Sequence, residues 1–216
     1  MRSIIKRSLF ATAVAAAAFG LTATSASATA QAQWTVVNPN ADGSFAASLK
    51  AGTTADLLDL DSNQGVTCYS AVANGSAPSG TYPTGDNLAQ INVATFGDAV
   101  NDPCDGPLGS TFSAEMTGAA IHLNATGYSG GITTGNLSGV EVTLTGDTLF
   151  GVCTATITGS ASNAQYNNAT GELSITNGAG LTISNVNNCS GLMNNGDAAQ
   201  FSAVYKLAKP LTVTSP

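Results

Sequence analysis

Cys153-Thr154-Ala155-Thr156-Ile157-Thr158-Gly159-Ser160-Ala161 is the stretch that decides the fold, because an earlier segment echoes it. Cys68-Tyr69-Ser70-Ala71-Val72-Ala73-Asn74-Gly75-Ser76-Ala77 likewise opens on a cysteine, alternates small and branched residues, and ends in Gly-Ser-Ala. Each opening cysteine has a second one 36 positions further on, Cys104 and Cys189. The residues after these also correspond: Cys104-Asp105-Gly106-Pro107-Leu108 leads to Phe112-Ser113-Ala114, and Cys189-Ser190-Gly191-Leu192-Met193 leads to Phe201-Ser202-Ala203. We read an internal duplication in which each copy carries one disulfide. Four cysteines allow three pairings; inheritance of one local bridge twice favours Cys68–Cys104 and Cys153–Cys189. In the chain-entropy treatment each bridge removes about 4 kcal/mol of unfolded-state freedom.

Around these cysteines the period is two. Val140, Val142 and Leu144 alternate with Glu141 and Thr143; Cys153, Ala155 and Ile157 share a face; Leu173 and Ile175 flank Ser174. Phe201, Ala203, Tyr205 and Leu207 continue the pattern, as do Ala89, Ile91 and Val93 in the first copy. Turn signals punctuate the runs at Asp42-Gly43, Asn74-Gly75, Asp105-Gly106, Asn177-Gly178 and Asn195-Gly196, since these pairs tolerate positive φ. Ten or more short strands and little helix are expected. Thr53-Thr54-Ala55-Asp56-Leu57-Leu58-Asp59-Leu60 reads equally as a helix or a strand. The fold class is all-β, a sandwich of immunoglobulin-like or jelly-roll type. It is built from two similar disulfide-bonded units, 31–116 with Cys68 and Cys104, and 117–216 with Cys153 and Cys189. The two units are small enough to share one pair of sheets.

Residues 1–30 read as a secretory signal peptide. Arg2, Lys6 and Arg7 precede the apolar run Leu9–Leu21, and cleavage after Ala28 or Ala30 follows from the small residues there. No segment reaches membrane-spanning length as a helix. The expected location is extracellular, with the cell envelope as a second station, and oxidised cysteines suit it. Without the leader, Lys50, Lys206 and Lys209 stand against thirteen acids, a net charge of −10 with no arginine. Nucleic acid and anionic lipid need basic residues to neutralise phosphate, so nucleic acid is excluded as a partner. Charged residues are 9% and hydrophobic ones 43%, a balance that folds rather than remaining disordered.

Several motifs invite enzymatic readings. Gly127-Tyr128-Ser129-Gly130-Gly131 resembles the nucleophile elbow of cutinases, but that elbow needs a helix after the serine and a histidine later in the chain. His122, the single histidine, precedes Ser129, and flanking Ile121 and Leu123 point it away from the core. A glycine-rich loop is the plainer reading. Ser129-Gly130-Gly131 also lacks the preceding aspartate of trypsin-like proteases, and the Asp-Thr-Gly of aspartic proteases is absent. Asn38, Asn40 and Asp42, and again Asp59, Asp61 and Asn63, have the spacing of calcium loops without the acid at the twelfth position. Turns capped by their own side chains explain them. Asp98, Asp102 and Asp105 bracket Cys104 as a third acidic group. No catalytic, cofactor-binding or metal-binding residues are assigned.

The chain resembles the small Ala/Gly/Thr-rich secreted β-proteins of actinobacteria in its leader, acidity and disulfide-bonded β-content. The resemblance is compositional and implies no site residues. The expected function is a non-enzymatic extracellular or envelope-associated module that binds a protein or envelope partner. Two alternatives stand beside it. One is a secreted protease or hydrolase inhibitor presenting Pro103–Leu108; the other is an outer-envelope β-barrel or channel component. A carrier of a small apolar ligand is a further option.

Overall fold

Why this chain closes on itself is visible in its strand pairings. A computed structural model describes residues 33–149 and 151–216; residues 1–30, expected as a signal peptide, lie outside the described residues. Fifteen strands follow in order: β1 Trp34–Val37, β2 Ser44–Leu49, β3 Ala55–Asp59, β4 Gly65–Cys68, β5 Ala71–Ser76, β6 Gly80–Tyr82, β7 Ala89–Phe96 and β8 Cys104–Asp105, then β9 Thr111–Met116, β10 Ile121–Ser129, β11 Ile132–Thr148, β12 Gly151–Asn167, β13 Glu172–Asn187, β14 Ala198–Leu207 and β15 Thr212–Thr214. The all-β expectation holds; the one helical element described is a 3-10 turn at Pro107–Gly109. The ambiguous stretch after Thr53 is strand β3.

Twelve strands form one sheet, and this sheet has no simple edges. At one end β10, β11, β12, β13, β14, β2, β5 and β7 follow each other, and β7 pairs back to β10 through Ile91↔Ile121. The long strands β11 to β14 continue past this ring. At their far end β14 pairs with β3, then β4, β8 and β9 follow, and β9 returns to β11. The result is a closed antiparallel barrel of two stacked eight-stranded rings that share β11–β14. Closure removes the exposed edges a flat sheet would present.

The sandwich expectation is corrected by these pairings. Each half contributes one contiguous arc to both rings, and the arcs are hydrogen-bonded to each other at both junctions, β14 with β2 and β3 and β10 and β11 with β7 and β9, so the two segments are not separate sheets facing each other. Period-two alternation is identical in a sandwich and a barrel, because both bury one face. The repeat is nonetheless recognisable. Each disulfide, Cys68–Cys104 and Cys153–Cys189, ties the open end of an antiparallel two-strand segment, β5 with β7 and β12 with β13.

Bulges supply the curvature. Asn74-Gly75 and Asn177-Gly178, expected as hairpin turns, lie inside β5 and β13 at register shifts. Positive φ serves a bulge as well as a turn, and Asn177 has φ 47°. Gly159 shows why a side chain is excluded at such a place: a Cβ there would lie 2.3 Å from the carbonyl oxygen of Gly180 on the next strand.

One end of the barrel is filled by a single row of paired residues, Cys104↔Phe112↔Gly146↔Cys153, running across β8, β9, β11 and β12. Phe112 is 1% exposed and both cysteines are fully buried. The loop after β13 adds buried Cys189, Leu192 and Met193, and the Ser62 hydroxyl donates to the Leu192 carbonyl. At the other end a three-stranded sheet, β15-β1-β6, supplies buried Trp34, Val36 and Val213, and Leu211 just before β15 is buried with them. It is fastened there by Tyr166, whose hydroxyl accepts from Leu211 N at 2.7 Å and donates to Leu211 O at 2.9 Å, and by Asn168, which holds both backbone groups of Val213.

Gly146 is absent of side chain for a steric reason: a Cβ there would lie 2.2 Å from Phe112 Cδ1. Gly146→Ala is therefore expected to destabilise by about 1–3 kcal/mol, the range for an overpacked core. In a Phe112→Leu background the same change should cost less, and a double-mutant cycle by urea unfolding measures the difference. Additive effects would overturn the contact.

Paired Cys153→Ala and Cys189→Ala substitutions should lower stability by about 4 kcal/mol, as should the Cys68 and Cys104 pair. Denaturant midpoints of the oxidised protein and the two variants test this. A loss below about 1 kcal/mol would place the barrel's stability elsewhere.

Candidate functional site

Inside the barrel, the inward face of each strand is apolar and often short. The lumen encloses a cavity of about 170 Å³. Its larger wall residues include Phe45, Leu57, Phe96, Val142, Ile175 and Phe201, and alanines lie between them at Ala55, Ala73, Ala94, Ala114, Ala161 and Ala164. Phe96 and Phe201 meet edge to face with centroids 5.6 Å apart. Eight strands give an interior that side chains of ordinary size just fill. Alanine at so many inward positions leaves it short of filled.

The wall carries no Asp, Glu, His, Lys or Arg. Its polar groups are spent on the barrel itself, with one exception. Asn124 donates to Asn136 Oδ1 and Ser138 Oγ and accepts from Asn87 N. Thr134 donates to Gly127 O, and Tyr166 is taken up by Leu211. Tyr205, on the inward face of β14 and 5% exposed, makes no hydrogen bond among the described residues. Its hydroxyl retains accessible surface, unlike Asp59 Oδ2 and Thr170 Oγ1, the fully buried side-chain atoms without a partner among the described residues.

The sequence's chemical motifs fall outside the lumen. His122 stands near the start of β10, faces outward, and holds Asn87 Oδ1 at 2.7 Å from Nδ1. Ser129 ends the same strand, so the two are separated by roughly 23 Å at strand rise, too far for a base to take a proton. Gly130 and Gly131, at φ 58° and 85°, form the hairpin turn into β11. The nucleophile-elbow pattern is thus strand–turn–strand.

The acidic segments are self-capped turns. Asn38 is buried; its Nδ2 donates to Gly43, Ser44 and Ala77 carbonyls and its Oδ1 accepts from Asn40 N. Asp59 Oδ1 accepts from the backbone of Asp61 and Ser62, and Asp61 accepts from Ala198 N. Backbone donors from Asn101 and Val100 hold the Asp98 carboxyl below its usual range. Asp105 accepts from the Tyr69 hydroxyl, which raises the Tyr69 pKa. Among the described residues no group of three or more His, Cys, Asp or Glu gathers as a metal site.

The outward faces of the long strands are hydroxyl-rich. Thr143↔Thr156↔Ser184 and Thr145↔Thr154 form rows across β11, β12 and β13. Tyr205 was visible in the alternation of Phe201 to Leu207 as an inward residue, but the pattern did not single it out. Its signal was a phenol on an otherwise apolar inward run, a group that requires a partner when buried. No protein-family model matches the chain, and no curated protein or solved structure is similar to it.

Burial alone pushes the Tyr205 phenol well above the ordinary tyrosine value, and burial also raises Tyr166. In the unfolded chain a tyrosine ionises near about pH 10. The native state keeps its proton beyond that, so this stability is fully present below about pH 10 and is lost as pH rises further, by about 1.4 kcal/mol per unit for one such phenol. Absorbance at 295 nm should show Tyr205 ionising only as the barrel unfolds. Tyr205→Phe should make the alkaline fall in stability shallower; an unchanged slope would show that the phenol titrates freely.

Proposed function

We propose that this protein is a secreted, non-enzymatic binding module and that its binding site is the barrel lumen, which takes up a small apolar molecule. The observation that carries this reading is the unfilled, uncharged cavity. At about 24 cal/mol per Å³, a void of this size forgoes about 4 kcal/mol that leucines in place of alanines would recover. That is comparable to one of the two disulfides bracing the barrel. Dry apolar voids of about 150 Å³ hold molecules the size of benzene rather than water. A lumen without Asp, Glu, His, Lys or Arg supports binding rather than turnover. The signal-peptide reading and the two buried disulfides support an extracellular setting, in solution or at the envelope.

The alternatives find less support. A lipid-embedded barrel carries an apolar band outside and a polar lumen; here threonine, serine and asparagine face outward and the lumen is apolar. An inhibitor loop must offer an extended segment to a protease. In Pro103–Leu108 the exposed tip, Leu108, has φ 57° and turns the chain within a 3-10 element.

Toluene, indole and cyclohexane at millimolar concentration should raise the melting temperature and shift methyl resonances of lumen residues such as Ile175 and Leu181. Ala94→Leu with Ala161→Leu should stabilise the free protein and abolish both responses. If no such compound shifts either signal, or if the response survives in the filled variant, the lumen is not the binding site. Turnover of ester, peptide or glycoside substrates by the mature protein would refute the non-enzymatic reading.

A further inference from the structure

We infer that the Tyr205 hydroxyl is the polar anchor of the lumen, and that the molecule it selects is neutral and compact, with an apolar body and one hydrogen-bond acceptor of the ketone, aldehyde or ester class. The inference rests on the lumen being the binding site and adds the chemistry of what it takes.

Three observations converge on it. The first is the unspent donor. Tyr205 lines the cavity at 5% exposure, and its hydroxyl has no partner among the described residues. Tyr166, the other wall tyrosine engaged in hydrogen bonding, shows the contrast: its hydroxyl both donates to and accepts from Leu211. A ligand acceptor placed beside Tyr205 supplies what the fold withholds there. Sites with a buried polar group of this kind discriminate strongly against molecules lacking the matching atom.

The second observation is the absence of positive charge. No Lys, Arg or His lines the lumen. Lys50 is paired outside with Glu172 at 3.1 Å, Lys209 holds Asn40, and Lys206 donates to the Thr170 carbonyl. A carboxylate inside would be buried without a counter-charge, which neutral acceptors avoid. Fatty acids and other anions are thereby disfavoured. The third is size. About 170 Å³ admits a ring with a short substituent and leaves no space for a long chain. The phenol also stays protonated at physiological pH, because burial opposes its ionisation.

Acetophenone and α-methylstyrene form a matched pair of probes, identical in shape except that a carbonyl oxygen replaces a methylene. Titration of each into the mature protein, followed by lumen methyl resonances, should give about five- to tenfold tighter binding of acetophenone. In Tyr205→Phe, whose only loss is the unpartnered hydroxyl, the two should bind equally, with α-methylstyrene bound as before. The carbonyl stretch of bound acetophenone should lie at lower frequency in the wild-type protein than in the variant. Benzoate should bind more weakly than acetophenone at pH 7. Equal binding of the pair by the wild-type protein, or a preference that survives Tyr205→Phe, would overturn the anchor while leaving the lumen as a binding site. Tighter binding of benzoate would overturn the neutral-ligand assignment. Failure of both members of the pair to bind would overturn the lumen reading itself.

Discussion

The row Cys104↔Phe112↔Gly146↔Cys153 is the constraint on which the barrel depends. It joins four strands from both halves of the chain at one register, sets an aromatic ring against a glycine, and anchors each side through a disulfide. Loop-closure entropy opposes non-local strand pairing. The β9–β11 pairing is such a case, bringing together Phe112 and Gly146, 34 positions apart. Holding this row fixes the inward face of β11 and β12, because a slip of one residue would turn Val142, Leu144, Ala155 and Ile157 outward and the threonines inward. The lumen beneath inherits its lining from that register.

Much of this was legible in the residues. Identical cysteine spacing gave the two bridges, and the period-two runs at Val140–Leu144, Cys153–Ile157 and Phe201–Leu207 gave strands with the correct faces inward. Closure was not legible. The pairings β7–β10, β9–β11 and β14 with both β2 and β3 are long-range, and alternation says which face is buried but not what it is buried against. The Asn-Gly pairs at Asn74 and Asn177 misled for a related reason: a positive-φ site marks a departure from regular strand, and both a turn and a bulge are such departures.

The candidate site divides in the same way. That His122 lacked a nucleophile partner followed from chain order, and strand β10 places it and Ser129 at opposite ends of one extended segment. The turn reading of the Asn38 and Asp59 segments followed from the missing acid and agrees with the way Asn38 Oδ1 and Asp59 Oδ1 accept from nearby backbone. The lumen, by contrast, needed the closed ring. Alanine in a strand reads from sequence as a small core residue; only when nine alanines from seven strands face one another does their shortness add up to a cavity.

Two features of that cavity point the same way although they arise from different physics. Unfilled volume forgoes dispersion contacts, which any larger apolar side chain would restore. An unpartnered phenol forgoes a hydrogen bond, which phenylalanine would make irrelevant. Each is a local conflict with an otherwise consistent fold, in which strands alternate correctly and the other polar groups on the wall are satisfied. Conflicts of this kind concentrate where a structure serves something other than its own stability. Here both fall in one chamber, lined by strands from both halves of the chain. The bracing supplied by Cys153–Cys189 and Cys68–Cys104 offsets what the empty chamber costs, so that rigidity at the plugged end and vacancy in the lumen are two parts of one arrangement.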